Sequence, residues 1–291
     1  MSAPAKSAVI GQDAIVEKGW LKTHQWLLLR RVSQLSILGL FLLGPLAGIW
    51  WIKGNLSASL LFGTIPMADP FLVLQTFFSG HQPELTALAG ALIIFAFYFI
   101  VGGRVFCSWV CPVNIVTDSA GWLRRRLGLR KSTQLSRSLR YWILIMCLIT
   151  PLFTGYVVWE LVNPVSMLHR GLLFGMGMGW TLIIAIFLFD LFISRRGWCG
   201  HICPMGAFYS LVGKFSPLKV SAANRSKCND CMDCYAVCPE PQVIRPALKG
   251  EAKGVGPVII ASDCTNCGRC IDICAKDVFH YSSRFANEAE K

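Results

Sequence analysis

The stretch CNDCMDCYAVCPEP, residues 228–241, carries four cysteines in the order C-x2-C-x2-C-x3-C-P, and CTNCGRCIDICAKD, residues 264–277, repeats that spacing. Three thiolates two residues apart wrap a tight loop around one face of an iron–sulfur cube, and a fourth, three residues on, reaches a second cube. A zinc ribbon uses two CxxC pairs separated by a longer loop and has no use for the third and fourth cysteines of each copy. The spacing therefore predicts two [4Fe-4S] clusters with crossed ligand sets. Cys228, Cys231, Cys234 and Cys274 hold one; Cys264, Cys267, Cys270 and Cys238 hold the other.

The rest of the chain is of a different character. Of its 291 residues 54% are hydrophobic and only 15% charged, against about 25% charged in an ordinary soluble protein. Such a composition calls for a membrane as solvent. Four uncharged apolar stretches, residues 32–52, 85–103, 141–159 and 171–189, each approach the roughly 20 residues needed to cross a bilayer core.

The net charge of +12 is distributed unevenly. The connection between the second and third stretches reads RRRLGLRKSTQLSRSLR, and the N-terminal arm carries Lys6, Lys18, Lys22, Arg30 and Arg31, whereas the other two loops hold little beyond Lys53 and Arg170. Basic residues mark cytoplasmic loops, so both termini are expected in the cytoplasm and the connections 53–84 and 160–170 face outward. The positive excess is topological, and nucleic acid is excluded as a partner. Arg30-Arg31 before an apolar run resembles a twin-arginine export signal, but no small-x-small cleavage site follows and three further spans do.

Thirteen cysteines in a secreted chain would suggest disulfides, but eight are cluster ligands, which must stay reduced and so suit the cytoplasm. Four of the others form a second pattern: FCSWVCPVN places Cys107 and Cys111 at the end of the second stretch, and GWCGHICPMGA places Cys199 and Cys203 beyond the end of the fourth. Each reads apolar helix, basic residue, C-x3-C-P, so the membrane part is two copies of one helical hairpin. If the copies meet, four thiols converge at the cytoplasmic surface, as ligands of a metal or further cluster, as a redox-active thiol site, or as small packing residues. Cys147, alone in the third stretch, reads as filler.

Quinol oxidation releases two protons with two electrons, and a carboxylate or imidazole near the apolar–polar boundary would accept them. Glu160 and His169 in VVWELVNPVSMLHRG, with Arg170 beside them, and Asp190 in IFLFDLFIS are the candidates; Asp69 and His81 lie in the other outward loop. The alternatives are a solvated Glu160–Arg170 pair and a structural pairing of Asp190 with Arg195 or Arg196. The segment SLLFGTIPMADPFLVLQTFFSG, residues 59–80, is too apolar for a soluble connection and too broken by Pro66 and Pro70 to span. It is expected to lie along the membrane surface and to wall a lipid-accessible pocket or shield the helix ends.

WELVNPVSMLHRG, FCSWVCPVN, GWCGHICPMGA and CMDCYAVCPEPQVIRP together resemble the NapH family, the quinol dehydrogenase membrane components of the periplasmic nitrate reductase system. The likeness extends over residues 19–279. It implies a multi-pass protein of the bacterial inner membrane that takes electrons from the quinone pool. It would pass them, with a periplasmic ferredoxin-type NapG-like subunit, toward cytochrome c and nitrate reductase components. Two departures are visible: Ala275 stands where a ferredoxin often has proline, and the segment 243–263 between the motifs is long, which bears on how closely the cubes approach.

The fold expected is a membrane all-α four-helix bundle with a small α+β dicluster ferredoxin-like C-terminal domain. Residues 1–31 form a basic cytoplasmic arm, 32–196 the transmembrane domain, in which GMGMG at 175–179 lets helices approach closely, and 197–291 the ferredoxin-like domain. That domain has too few apolar residues for a core of its own, so the clusters staple it; the final NEAEK frays. Two other functions compete: a CcoG-like cupric reductase or assembly factor, with the four CxxxCP cysteines and His201 as metal site, and a redox-sensing membrane scaffold. A quinol site outside near Glu160 would stand about 30 Å, a hydrocarbon thickness, from cytoplasmic clusters. Direct transfer over that distance is implausible, so the site lies nearer the cytoplasmic face, the four bundle cysteines hold a relay, or the dicluster is a side branch. A reporter fused after Lys291 should behave as cytoplasmic and one inserted near Ser79 as periplasmic. Alkaline phosphatase activity from the C-terminal fusion would reverse the topology.

Overall fold

The computed structural model describes residues 10–129, 132, 133, 135–175, 177 and 179–285. Lys6 of the arm, Arg130 and Lys131 of the basic connection, both methionines of GMGMG and the terminal NEAEK lie outside the described residues. The chain divides into two units. One contains residues up to Arg30 together with those from Pro217 onward; the other is residues 31–216. Residues 197–216, expected at the head of the ferredoxin-like domain, thus group with the apolar unit.

Helix α1 (Gln12–Lys18) ends at Gly19, whose φ of 80° only glycine adopts freely, and α2 (Trp20–Ala47) follows. At 28 residues α2 is the one helix among the described residues long and apolar enough to cross a membrane. The first unit boundary falls within it.

In the apolar unit the chain leaves α2 for a three-stranded antiparallel sheet of β1 (Ile52–Gly54), β2 (Ala58–Leu61) and β3 (Ile65–Ala68), with Ile52 opposite Leu61 and Ala58 opposite Ala68. Asp69 then caps α3 (Pro70–Phe78), its carboxylate accepting the Phe71 amide at 3.2 Å, with Pro70 at the first helical position. Phe71 and Gln75 are wholly buried. Strand β3 lies against α4 (Leu85–Val101) at Gly90, where a Cβ would collide with the backbone of residues 66–68. Residues 59–80 thus supply β2, β3 and α3 and pack against α4 through Gly90, with Leu60, Phe62, Ile65 and Phe77 left exposed.

The other apolar stretches are shorter or divided. α4 has 17 residues and α6 (Leu139–Thr154) has 16, about 26 and 24 Å at 1.5 Å per residue. Gly155, at φ 70°, separates α6 from α7 (Val158–Val162). The expected fourth span, residues 171–189, begins inside α8 (Pro164–Phe174) and is interrupted at the glycine run before α9 (Gly179–Leu188). Gly175 and Gly177, at φ 85° and 45°, follow the end of α8, because glycine costs a helix about 1 kcal/mol each; the close helix approach expected of GMGMG falls partly outside the described residues. α9 continues as a π-helical turn, Phe189–Ile193.

The expected internal repeat is present. α4 is followed by a π turn, Phe106–Val110, and α5 (Val113–Arg126); α9 is followed, after Gly197, by a π turn, Trp198–Ile202, and α10 (Pro204–Val212). Gly103 and Gly213 meet backbone to backbone, leaving no room for a Cβ on either. Arg31 and Arg196 both pair with Asp118 on α5, so the second arginine of the export-like pair is an internal ion-pair partner.

The other unit pairs β4 (Leu218–Ser221) with β5 (His280–Ser283) and adds α11 (Asp233–Val237), α12 (Ile244–Lys249) and α13 (Arg269–Ile273). Val220, Ile244, Ile259, Ile273, Val278 and Phe279 form a core with Cys234 and Cys270 inside it. The domain thus has a small core after all. The long segment between the motifs supplies α12 and Ile259, whose amide donates to Val220 O at 2.9 Å. The N-terminal arm is tied to this core. Asp233 accepts the Gly11 amide at 3.0 Å, and the buried Asp272 accepts the Trp26 and Leu27 amides at 3.0 and 3.1 Å while pairing with Arg269 at 2.8 Å. Trp26 meets Tyr281 edge-on.

Asp272→Ala strands two helix amides and a guanidinium, at a cost of about 2–4 kcal/mol. Tryptic cleavage at Lys18 and Lys22 should accelerate markedly in that variant; cleavage at the wild-type rate would show that Asp272 does not hold the arm.

Candidate iron–sulfur and substrate sites

None of the thirteen cysteines is in a disulfide. In the ferredoxin-like unit one cavity, about 360 Å³ with its mouth, is lined by Cys228, Cys231, Cys234 and Cys274; another, about 350 Å³, by Cys238, Cys264, Cys267 and Cys270. These are the two crossed sets. Left-handed Met232 and Gly268, at φ 66° and 72°, turn each CxxCxxC loop around its cavity. Cys270 also feels Cys234 of the other set, so the two sets are neighbours. Four thiols surrounding each cavity suit a cube bound at its corners. Among the described residues no three His, Cys, Asp or Glu side chains close on one point as ligands of a single ion do.

The second cysteine pattern is built by the π turns. Each turn ends where the second cysteine donates its amide five residues back, Cys111 to Phe106 O and Cys203 to Trp198 O, both at 2.9 Å. The following Pro112 and Pro204 start new helices. The extra residue of a π turn places both cysteines of a C-x3-C pair toward one side and ends the helix there. The four thiols, Cys107, Cys111, Cys199 and Cys203, lie within electrostatic reach of one another. Burial pushes Cys199 and Cys111 up, and Cys203 to about 12; it raises Cys107 too, with Arg104 and Arg140 pulling it back. Arg104 and Arg140 are buried. They donate to the carbonyls of Cys199 and Gly200 at 3.3 and 3.4 Å, and Arg104 also bonds Cys107. Two buried guanidiniums, Arg104 and Arg140, thus stand beside the four thiols. Cys147 stays apart as partly buried packing on the core.

Of the ionisable candidates, Asp190 belongs to this centre's scaffold. It is buried and accepts the Trp198 amide at 3.0 Å, while Arg124 donates to the carbonyls of Asp190 and Leu191. Glu160 is half-buried: its carboxylate accepts from Ser57 at 3.4 Å and Asn163 at 3.1 Å, with Arg170 at 3.7 Å. His169 is buried edge-on to Phe41 at 4.9 Å, neither ring nitrogen hydrogen-bonded.

A larger cavity, about 720 Å³ with its mouth, opens among α2, the sheet, α4 and α10. Its lining is apolar except for Ser59, Asp69, Tyr98 and Tyr209, and Phe41, which backs on His169, forms part of the wall. Tyr209 donates to Asp69 at 3.0 Å. Burial pushes the Asp69 carboxyl, in the connection between α2 and α4, up to about 6 against the pull of the Phe71 amide and the Tyr209 hydroxyl. Phe106 and Val110, immediately before Cys107 and Cys111, also line it. The pocket wall expected of residues 59–80 is thus present. Sequence reading did not connect Asp69 with Tyr98 and Tyr209, which only the fold brings together. The basic residue before each CxxxC was legible as a repeat feature, but not that Arg104 is a buried charge at the thiols or that Arg140 of α6 joins it there.

A family model described as a 4Fe-4S binding domain matches residues 84–130 and 173–222, covering both CxxxCP motifs, and a 4Fe-4S dicluster domain matches 227–278. The chain is 48% identical over 281 residues to the ferredoxin-type protein NapH of Escherichia coli (strain K12), covering 96% of this chain and 97% of the relative. It is also 48% identical to NapH of Haemophilus influenzae over 96% and 97%. With the methylamine utilization ferredoxin-type protein MauN of Paracoccus denitrificans it shares 52% over 93% and 95%. No solved structure matches the chain. The matches cover both cysteine systems, and the chain belongs to the NapH/MauN family of ferredoxin-type iron–sulfur electron-transfer proteins.

Proposed function

We propose that the chain is a multi-pass inner-membrane electron-transfer subunit, both termini cytoplasmic, that oxidises quinol and conducts electrons through three [4Fe-4S] clusters. Two are held by the crossed cysteine sets of the ferredoxin-like unit. The third is held by Cys107, Cys111, Cys199 and Cys203. When bound, such clusters supply one-electron carriers, and the chain's own groups set their charge balance and exclude water.

The observation that carries this reading is the meeting of two matched π turns, four thiols and the buried Arg104 and Arg140. A buried anionic centre needs compensation, and two guanidiniums provide it without a titrating group. The description of the family model over both motifs favours a 4Fe-4S centre over copper or zinc. Asp190 acts as a positioning residue for the second motif, and Glu160 belongs to the proton path. The NapH relatives and the resemblance in WELVNPVSMLHRG support delivery through a NapG-like partner toward periplasmic nitrate reductase. The similarity to MauN, named for methylamine utilization, is as high, so the ferredoxin-type part of the reading is common to both relatives and the nitrate route rests on the NapH resemblance.

Purified wild-type chain should carry about twelve iron atoms and as many acid-labile sulfides, against about eight for a dicluster alone. Cys107→Ser, Cys203→Ser and the double variant should each fall to about eight, the losses failing to add because one site is shared. Copper or zinc in place of the missing iron, or a wild-type value of about eight, would refute the third cluster. In a separate test, Cys231→Ala should lose iron from the ferredoxin-like unit and become protease-sensitive there, because cluster binding is also folding energy. Full iron retention would contradict the ligand assignment.

A further inference from the structure

We infer that the cavity among α2, β3, α4 and α10 binds a para-hydroquinone with an apolar tail, that Asp69 accepts its hydroxyl protons, and that Glu160 lies on their way out. The inference rests on the quinol reading above and names the site for it.

The shape and lining select the ligand class. Small-molecule pockets are mostly apolar with a few convergent polar groups. Here Ile37, Ile52, Leu56 and Ile94 present the apolar surface, and Asp69 and Tyr209 supply an acceptor and a hydroxyl already joined at 3.0 Å. A flat ring with one hydroxyl toward Asp69 satisfies both features, whereas a charged or strongly hydrated substrate would leave its solvation unmatched. Phe106 and Val110, the chain neighbours of Cys107 and Cys111, are in the wall, and Tyr98 of the lining lies within electrostatic reach of both thiols.

A line of polar groups leads outward from Asp69. Its amide donates to Ser57 O at 2.8 Å, and Ser57 Oγ stands 3.1 Å from Ser166 Oγ and 3.4 Å from Glu160 Oε1. Glu160 is close enough to act electrostatically on the Asp69 carboxyl, and its partner Arg170 is exposed. The chemistry balances. Oxidation breaks two O–H bonds of the hydroquinone and yields the quinone, two protons and two electrons. The protons go one after the other to the Asp69 carboxylate and onward past Glu160. The electrons leave one at a time to an iron–sulfur acceptor, which is reduced.

The test uses the full chain in nanodiscs, an azido-substituted short-chain ubiquinone as photolabel, and decylubiquinol as reductant with cluster bleaching as readout. Label should fall on peptides containing Tyr98 or Tyr209, and Ile94→Trp, which fills the cavity, should abolish it. Asp69→Asn keeps a cap acceptor for α3; it should retain labelling within about threefold while slowing quinol-driven bleaching by about a hundredfold. Glu160→Gln should slow bleaching without changing labelling. If wild type is bleached by quinol but the label falls elsewhere, or if Asp69→Asn bleaches at the wild-type rate, the site is wrong and the quinol reading stands. If wild type is neither bleached nor labelled, the quinol reading fails and the site with it.

Discussion

Four thiols and two guanidiniums buried at one place constrain everything around them. Burying a charge costs several kcal/mol, and an anionic centre proposed at the thiols would meet two guanidiniums already buried beside them. Arg104 comes from the turn before the first CxxxC and Arg140 from the start of α6, so the centre draws α4, α6 and both π turns to one point. The backbone meeting of Gly103 and Gly213 follows from the same convergence, since a side chain at either position would hold the two halves of the repeat apart.

That convergence also bears on where Asp69 sits. With α4 and α10 brought together, a wedge of space remains beside Tyr98 and Tyr209, and Asp69 at the head of α3 enters it to meet the Tyr209 hydroxyl. Ser57, Asn163, Ser166 and Glu160 form a hydrogen-bonded group that ends at the exposed Arg170 and that the Asp69 backbone amide joins at the Ser57 carbonyl.

Much of this was legible in the sequence because it resides in spacing. The crossed cysteine sets follow from C-x2-C-x2-C-x3-C, and the structure lines one cavity with each set. The duplicated CxxxCP was visible too, since a period in sequence becomes a repeat in space. What spacing does not encode is where the chain doubles back. Hydropathy reads residues 171–189 as one helix, yet glycine's backbone freedom divides them between α8 and α9. The same measure gives no sign of the β3 backbone contact with Gly90, which has no hydrophobic signature. The arm shows the complementary failure: its basic residues suggest solvent or lipid headgroups, while Asp272, distant in sequence, accepts two of its amides.

The central claim, that buried arginines compensate a metal–thiolate centre at Cys107, Cys111, Cys199 and Cys203, is tested most directly by an EPR-monitored redox titration of the full chain against Arg104→Gln. Removing a buried positive charge disfavours the more negative, reduced state, so the midpoint of one of three iron–sulfur components should fall by tens of millivolts while the other two stay fixed. Only two components in the wild type, or three that ignore the substitution, would contradict the account.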